Sequence, residues 1–402
     1  MPPTEVQQPG AAVDLAGQGE VIHLRLAGHD VRVFQESPPL IASMVADLAT
    51  AKSRAWVESY TISDDAAGRA VAEVLKERAR QGVDCRVMYD GIGSAGTPGA
   101  FFRGLEEAGV KVHGYRTLRQ AFWRWGLLNR RNHRKLLAVD DRVAYFGGMN
   151  IVDQSGIRTV GDAKARHLPI SAGWRDVHVR LAGPQQAEIA AAFERLWRRV
   201  HGELRIRGPR WPIADMLFGN GEKIYFFDCR PRFKVRRPAR VLVPLMRGAR
   251  RSITVSMAYF IPQGRVLREL LRACRRGVQI RVIVPGESDV KVVQWATRHF
   301  YDKLLKRGVR IYEREDQMLH SKVMVIDDRW TVIGSCNLDP RSMLINLEFL
   351  SVIRARSMAA AVKRICRYEI RNSRRITLAD CHRRPWWRRL VDRLAWSFRR
   401  WL

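Results

Sequence analysis

No run of 18 or more apolar residues occurs in the 402-residue chain, so no segment reads as a helix that crosses a bilayer. The opening MPPTEVQQPGAAVDLAGQGE has neither a basic start nor an apolar stretch, and does not read as a secretory signal peptide. Cysteine is sparse. The six (Cys85, Cys229, Cys274, Cys336, Cys366 and Cys381) show neither CxxC spacing nor clustering with histidine. A disulfide frame and a zinc site are therefore not expected, and the thiols read as small buried hydrophobes in a reducing compartment. Negative charge is also short: Asp plus Glu number 40 against 71 Lys plus Arg, a net charge of +31 at pH 7. A field of that sign attracts polyanions, whether nucleic acid or an anionic membrane surface, and charge alone does not separate the two.

What is present is one plan stated twice. HRKLLAVDDRVAYFGGMN runs from His133 to Asn150, and HSKVMVIDDRWTVIGSCN runs from His320 to Asn337. Other pairs follow in the same order. SRAWVESY (53–60) answers to SITVSMAY (252–259), Gly82–Val87 to Gly277–Val282, and Gly109–Val112 to Gly308–Ile311. Between these strand-like pieces, AGRAVAEVLKERARQG and QGRVLRELLRACRRG carry apolar residues at helical spacing and end in glycine, a helix stop. Strands alternating with helices of that length imply α/β lobes. We expect two homologous α/β lobes, each a mixed, mostly parallel sheet flanked by helices, packed as a pseudo-dimer. The first would span 21–201 and the second 241–380. A Pro-, Gly- and Arg-rich connection (202–240), a disordered start (1–20) and a basic amphipathic C-terminal helix (381–402) complete the expected organisation.

Side chains two apart on a strand share a face, so His133 and Lys135 point one way, as do His320 and Lys322. Histidine can serve as nucleophile or general acid, and a neighbouring lysine can hold an anionic oxygen. One HxK on a strand is commonplace. Two copies are not, when each is followed at equal spacing by an aspartate (Asp140, Asp327), a Gly-small pair and an asparagine. HxKxxxxD with GGxN or GSxN resembles the signature of the phospholipase D superfamily, over nearly the whole chain. The resemblance implies one active site built from both motifs, with no metal or other cofactor. One histidine attacks phosphorus to form a covalent phosphohistidine, and the other protonates the leaving alcohol. Lys135, Lys322, Asn150 and Asn337 would bind the phosphate oxygens, with Ser335 as an extra donor where the first copy has Gly148. Four donors can cancel the charge on non-bridging oxygens that otherwise resists attack on a phosphodiester. An acid beyond each motif would orient its histidine: Asp176 for His133 and Glu348 for His320. Asp140 and Asp327 complete the catalytic motif, and their expected part is to pin the turn after each motif strand. His133 is assigned as nucleophile and His320 as general acid.

Two further phrases, NLDPRSMLINLE (337–348) and WRDVHVRLAGP (174–184), resemble bacterial cardiolipin synthases. So do Glu58-Ser59-Tyr60 and Tyr259-Phe260-Ile261-Pro262 at the strand ends. Without amino-terminal transmembrane helices, the chain is similar to the peripherally bound type. This implies a phosphatidyltransferase that makes cardiolipin from phosphatidylglycerol, with a second phosphatidylglycerol or phosphatidylethanolamine as partner. It would act at the cytoplasmic side of the cell membrane, with anionic phospholipid as both surface and substrate. The alternatives are a hydrolase or transphosphatidylase on other lipids, and a nuclease or nucleic-acid-binding protein. Nucleic acid is the less favoured partner, and nothing in the sequence sets an oligomeric state.

Two segments suit a membrane interface. In YRTLRQAFWRWGLLNRRN (115–132), Phe122, Trp123, Trp125, Leu127 and Leu128 sit among Arg119, Arg124, Arg130 and Arg131. In the terminal PWWRRLVDRLAWSFRRWL, helical geometry puts Trp387, Leu390, Val391, Leu394, Phe398, Trp401 and Leu402 on one arc. The arginines and Asp392 fall outside it, and Trp396 is the exception.

Overall fold

The computed structural model describes residues 20–117, 129–154, 173–203, 210–230 and 237–398. Sixteen strands among them form two eight-stranded sheets. The first holds β1 (Ile22–Leu26), β2 (His29–Phe34), β3 (Arg54–Ser59), β4 (Asp84–Asp90), β5 (Lys111–Tyr115), β6 (Leu136–Val139), β7 (Val143–Gly147) and β8 (His178–Ala182). The second holds β9 (Lys223–Cys229), β10 (Ser252–Met257), β11 (Gln279–Pro285), β12 (Arg310–Arg314), β13 (Lys322–Ile326), β14 (Trp330–Gly334), β15 (Glu348–Arg354) and β16 (Ser373–Ile376). The run β8-β7-β6-β3-β4-β5 of the first sheet recurs as β15-β14-β13-β10-β11-β12 in the second. That shared run is the duplication read from the sequence. The edges differ: β1 and β2 extend one sheet, β9 and β16 the other.

Both sheets are mixed, but the expectation that they are mostly parallel is corrected. Only β3-β4-β5 and β10-β11-β12 run parallel; every other pairing is antiparallel. A parallel join needs a crossover, which helices such as Ala66–Arg80 and Gly264–Arg275 supply. Each motif strand instead meets its successor through a tight turn. Asp140 (φ 50°), Asp327 (φ 51°) and Asp328 (φ 55°) adopt the left-handed conformation there. The stretch 202–240 also does more than connect, because β9 within it pairs with β15 at the edge of the second sheet.

Among the described residues, apolar side chains form three clusters. One lies outside the first sheet under the helices Ser37–Ala49 and Ala66–Arg80, with Leu40, Leu48 and Leu75 at its centre. Another lies outside the second sheet under Ala239–Gly248 and Gly264–Arg275, around Val241, Leu245 and Leu270. The third is shared. Trp56 and Phe146 from the first sheet join Phe226, Val323 and Phe349 from the second, between the helices Gln186–Val200 and Arg356–Arg371. The two lobes therefore meet through a packed core, which holds their facing edges at fixed spacing.

Among the described residues, no helix is long and apolar enough to cross a membrane. The helix Trp386–Ser397 docks on the second lobe through Trp396, which stacks on His299 (5.5 Å between centroids) and meets Phe300 edge-on (4.3 Å). Trp396 left the apolar arc because it faces the protein. Asp392, grouped with the solvated face, is instead buried beneath Arg384 (2.6 Å). Trp387, Leu390, Leu394 and Phe398 remain exposed on the outer side, while residues 399–402 lie outside the described part of the chain.

Candidate active site

The motif strands begin where the strands beside them end. Leu136 pairs with Glu58 near the end of β3, and Lys322 pairs with Met257 at the end of β10. Tyr60 and Tyr259, just past those ends, therefore stand beside the histidines. Ring centroids are 5.1 Å apart for Tyr60 and His133, and 6.4 Å for Tyr259 and His320. Trp174, which the sequence did not single out, packs 5.1 Å from His320.

A pair of short bridges then joins the lobes. His133 N donates to the Leu347 carbonyl (2.9 Å), and Leu347 N donates to that of Arg131 (2.9 Å). In the equivalent place, His320 N donates to the Arg175 carbonyl (2.7 Å), and Arg175 N to that of Met318 (2.8 Å). Glu348 follows Leu347, and Asp176 follows Arg175. Each histidine is thereby stitched to the acid-bearing segment of the opposite lobe. His133 Nδ1 lies 3.2 Å from both Glu348 oxygens, and His320 Nδ1 lies 2.8 Å from Asp176 Oδ2. This corrects the pairing expected above: Glu348 serves His133 and Asp176 serves His320. The sequence reading matched each acid to the motif it follows in the chain, whereas the bridges exchange them.

The bridges also set the ring chemistry. His133 Nδ1 faces the Ser335 carbonyl at 3.0 Å, and a carbonyl only accepts. The proton therefore sits on Nδ1, leaving the lone pair on Nε2. Lys135 and Lys322 are almost fully buried; Lys135 Nζ donates to the His133 carbonyl (2.8 Å) and Lys322 Nζ to Asp176 (3.1 Å). Burial, then the field of Lys322, brings Lys135 down to about 7. Burial, then the neighbouring lysine, lowers both histidines from their ordinary 6.5, which favours the neutral ring. Burial raises Asp176, but Lys322 and His320 outweigh it, and the carboxyl is held below the usual range. The two buried lysines face Asp176 and Glu348, and an entering anionic group would favour the charged form of each lysine.

The remaining predicted residues divide. Asn150 Oδ1 accepts from Thr61 N (3.3 Å), which leaves its amide nitrogen as the donor. Asn337 is buried, and its Oδ1 has no hydrogen-bond partner among the described residues. Ser335, expected as a phosphate donor, is corrected. Its hydroxyl donates to Glu348 and accepts from Phe349 N (3.0 Å), so it holds the acid in place. At Gly148, the counterpart of Ser335, a Cβ would lie 2.2 Å from Asp176 Oδ1. Glycine leaves the space that the carboxylate occupies. Gly148→Ala is accordingly expected to displace Asp176 and lower kcat by about 100-fold with little change in KM, as steady-state kinetics on a folded variant would read.

Asp140 and Asp327 stand at the far ends of the motif strands, roughly 16 Å from Lys135 and Lys322 at the rise of a strand. Asp140 accepts from Ser53 N (2.8 Å) and Arg54 N (3.0 Å), and Asp327 from Arg250 N (2.7 Å), Arg251 N (2.7 Å) and Ser252 N (2.9 Å). They pin the starts of β3 and β10 and do not reach the reacting groups. Arg131, expected at a membrane interface, is buried and paired with Asp90 (2.9 Å). Arg119, Phe122, Trp123, Arg124, Trp125, Leu127 and Leu128 lie outside the described residues.

Two buried arginines, missed from sequence, lock the site across the interface. Arg134, between the motif histidine and lysine, points to the opposite face and pairs with Glu58 (2.7 Å) and with Asp228 of β9 (3.0 Å). Arg175 pairs with Glu369 of the second lobe (3.0 Å) and Glu36 (2.7 Å). Strand alternation already placed Arg134 off the catalytic face, but its partners come from distant segments.

A family profile described as cardiolipin synthase, PLD-like domain, matches residues 44–162 and 242–368. The chain is 30% identical to cardiolipin synthase A of Pseudomonas putida over 355 residues, which cover 88% of this chain and 71% of that protein. It is 29% identical over 383 residues to cardiolipin synthase A of Serratia proteamaculans, covering 92% and 75%. With the cardiolipin synthase of Halalkalibacterium halodurans it shares 27% over 367 residues, covering 90% and 70%. Among solved structures, phosphatidylserine synthase of Haemophilus influenzae matches with a TM-score of 0.68 across 96% of both chains, at 13% identity. Polyphosphate kinase of Porphyromonas gingivalis matches with a TM-score of 0.53 over 85% of this chain and 50% of its own, at 11% identity. These last two are likenesses of fold.

Proposed function

The chain belongs to the cardiolipin synthase family of phospholipase D-like proteins, and on that footing we propose that it makes cardiolipin from phosphatidylglycerol through a phosphatidyl-histidine intermediate. The observation that carries the reading is the crossed pair of histidines, each held on Nδ1 by the opposite lobe, beside two buried lysines. Such a site offers two histidines and two buried lysines to one phosphodiester.

In the proposed sequence, His133 Nε2 attacks phosphorus. A P–N bond forms as the P–O bond to the headgroup glycerol breaks, and His320 gives its Nε2 proton to the departing oxygen. The bound phosphodiester and Asp176 offset the lysine field and let His320 carry that proton. A hydroxyl of a second phosphatidylglycerol then passes its proton to His320 and attacks phosphorus, and the P–N bond breaks. Phosphatidylethanolamine in place of the first donor would release ethanolamine by the same steps. Lys135, Lys322, Asn150 and Asn337 hold the two non-bridging oxygens throughout.

Incubation with phosphatidylglycerol vesicles, with and without phosphatidylethanolamine, should yield cardiolipin on lipid analysis, and a chelator should leave the activity in place. Formation of phosphatidic acid alone, or cleavage of DNA with no lipid product, would sink the reading.

The lysines set a pH dependence. With Lys135 at about 7, the ligand-free enzyme loses one phosphate-binding charge as pH rises through that value, so kcat/KM falls on the alkaline side. Lys135→Arg keeps its charge and should move that limb upward. Stability runs the other way. Between about 7 and the unfolded lysine value of ~10.4, the unfolded chain binds more protons, so the contribution of Lys135 to stability rises with pH. Rate and melting profiles with opposite slopes over that window would check both signs.

We also propose peripheral attachment at the cytoplasmic side of the membrane through the helix Trp386–Ser397. Its exposed Trp387, Leu390, Leu394 and Phe398 form an apolar stripe with Arg388, Arg389 and Arg393 beside it, which suits an anionic interface. Because Ala395 and Trp396 pack into the body, deleting the helix would disturb the fold. Leu390→Ser with Leu394→Ser tests the stripe alone. Binding to anionic vesicles should weaken about tenfold or more with Tm unchanged; equal binding would mean the stripe does not insert.

A further inference from the structure

A groove of about 1030 Å³ runs between the helices Ala239–Gly248 and Gly264–Arg275 and reaches Asp339 and Pro340, just past Asn337. Its rims are arginine. Arg240 and Arg247 stand on the first helix, and Arg265, Arg268 and Arg272 share one face of the second, all exposed. Buried Glu269 already draws Arg247 (3.6 Å) and Arg272 (3.4 Å). Arg240, Arg265 and Arg268 have no acidic partner among the described residues. The floor is aliphatic: Val243, Ile261 and Met343 line it, with Leu344 48% exposed at the edge.

That lining discriminates between polyanions. A single-stranded nucleic acid is held by base stacking on aromatic rings as well as by charge, and among the described residues no aromatic side chain lines this groove. An inorganic anion would use the guanidinium groups and leave the aliphatic floor idle. A molecule with a phosphate at one end and hydrocarbon at the other uses both. We propose that the groove binds one anionic phospholipid, with its phosphate on Arg240, Arg265 and Arg268 and an acyl chain along Val243, Ile261 and Met343. The site is separate from His133 and His320, and stands whether or not the reaction proposed above is correct. It adjoins the catalytic loop, because Ile261 N donates to the Leu338 carbonyl (2.8 Å), next to Asn337. A bound lipid thus braces the segment that positions Asn337.

The test uses the full chain on phosphatidylcholine vesicles containing phosphatidylglycerol with a photoreactive acyl chain, followed by peptide mapping. Label is expected within 239–248, 261–272 or 340–344. Arg240→Gln, Arg265→Gln and Arg268→Gln together should lower it about tenfold or more, and lysine at the same three positions should restore it. The His133→Asn, His320→Asn double variant should be labelled like the wild type, which separates this site from catalysis. Label absent from those segments, or unchanged in the triple glutamine variant, overturns the proposal. Displacement by millimolar inorganic phosphate would assign the groove to a free anion. Protection by a single-stranded oligonucleotide that the triple variant fails to bind would assign it to nucleic acid. Either result also overturns it.

Discussion

His133→Asn and His320→Asn each lower phosphatidyl transfer by about 10³-fold or more, and the double variant is scarcely worse than either single one. An amide cannot become the nucleophile or carry the proton, and both groups act on one phosphorus, so their losses do not add. The two single variants differ in what they trap. With donor lipid labelled at phosphorus and an activated leaving group, His320→Asn should still accumulate acid-labile phosphohistidine on His133. His133→Asn should accumulate none. The structural basis is the Ser335 carbonyl at 3.0 Å, which fixes the proton on Nδ1 of His133 and leaves Nε2 free to attack. Labelled protein recovered from His133→Asn would reverse the two roles. The crossed orientation by acids is checked separately: Glu348→Gln should shift the Nδ1 proton resonance of His133, and Asp176→Asn that of His320. Shifts in the opposite pairs would contradict the geometry.

The second large effect is on stability. Arg134→Met leaves buried Glu58 without its cation and takes one from Asp228, which keeps Arg230 (2.6 Å). Arg175→Met takes one cation from Glu369, which keeps Arg314 (3.3 Å). Removing one partner of a buried ion pair costs about 3–5 kcal/mol, because the remaining charge stays desolvated. Arg134→Met should therefore lower the unfolding free energy by that amount, read as a lower denaturation midpoint with the slope unchanged. Arg175→Met should lower it by less, because Arg314 stays on Glu369. Lysine is a poor substitute at 134, since the guanidinium reaches Glu58 through two nitrogens (2.8 and 2.7 Å) and Asp228 through a third (3.0 Å). Unfolding should remain one transition, because Phe146, Phe226 and Phe349 belong to a core drawn from both sheets. A loss of unfolding free energy below about 1 kcal/mol in Arg134→Met would mean that water or backbone movement satisfies Glu58.

Much of this protein follows from local pattern, which a sequence carries directly. The apolar, β-branched run of VMVID makes its motif segment a strand, and the alternation of side chains along a strand puts His and Lys on one face and Arg134 on the other. The repeat in the same order predicted two lobes, and the six-strand run common to both sheets is that repeat in space. The paired aspartates after each motif strand marked the left-handed turns that Asp140 and Asp327 adopt. The rest depended on segments far apart in the chain. Glu348 lies 215 residues from His133, and only the bridge of Leu347 to the His133 segment brings them together. Reading along the chain paired each acid with its own motif, because sequence distance is the only distance a sequence offers. The use of Ser335 on Glu348, the room Gly148 leaves for Asp176, and the inward turn of Trp396 have the same origin. Each is a packing outcome between segments that the fold lays side by side within one lobe: β14 on β15, β7 on β8, and the last helix on His299 and Phe300. Local periodicity determined which side chains could face a phosphate. The docking of one lobe on the other decided which acid holds which histidine.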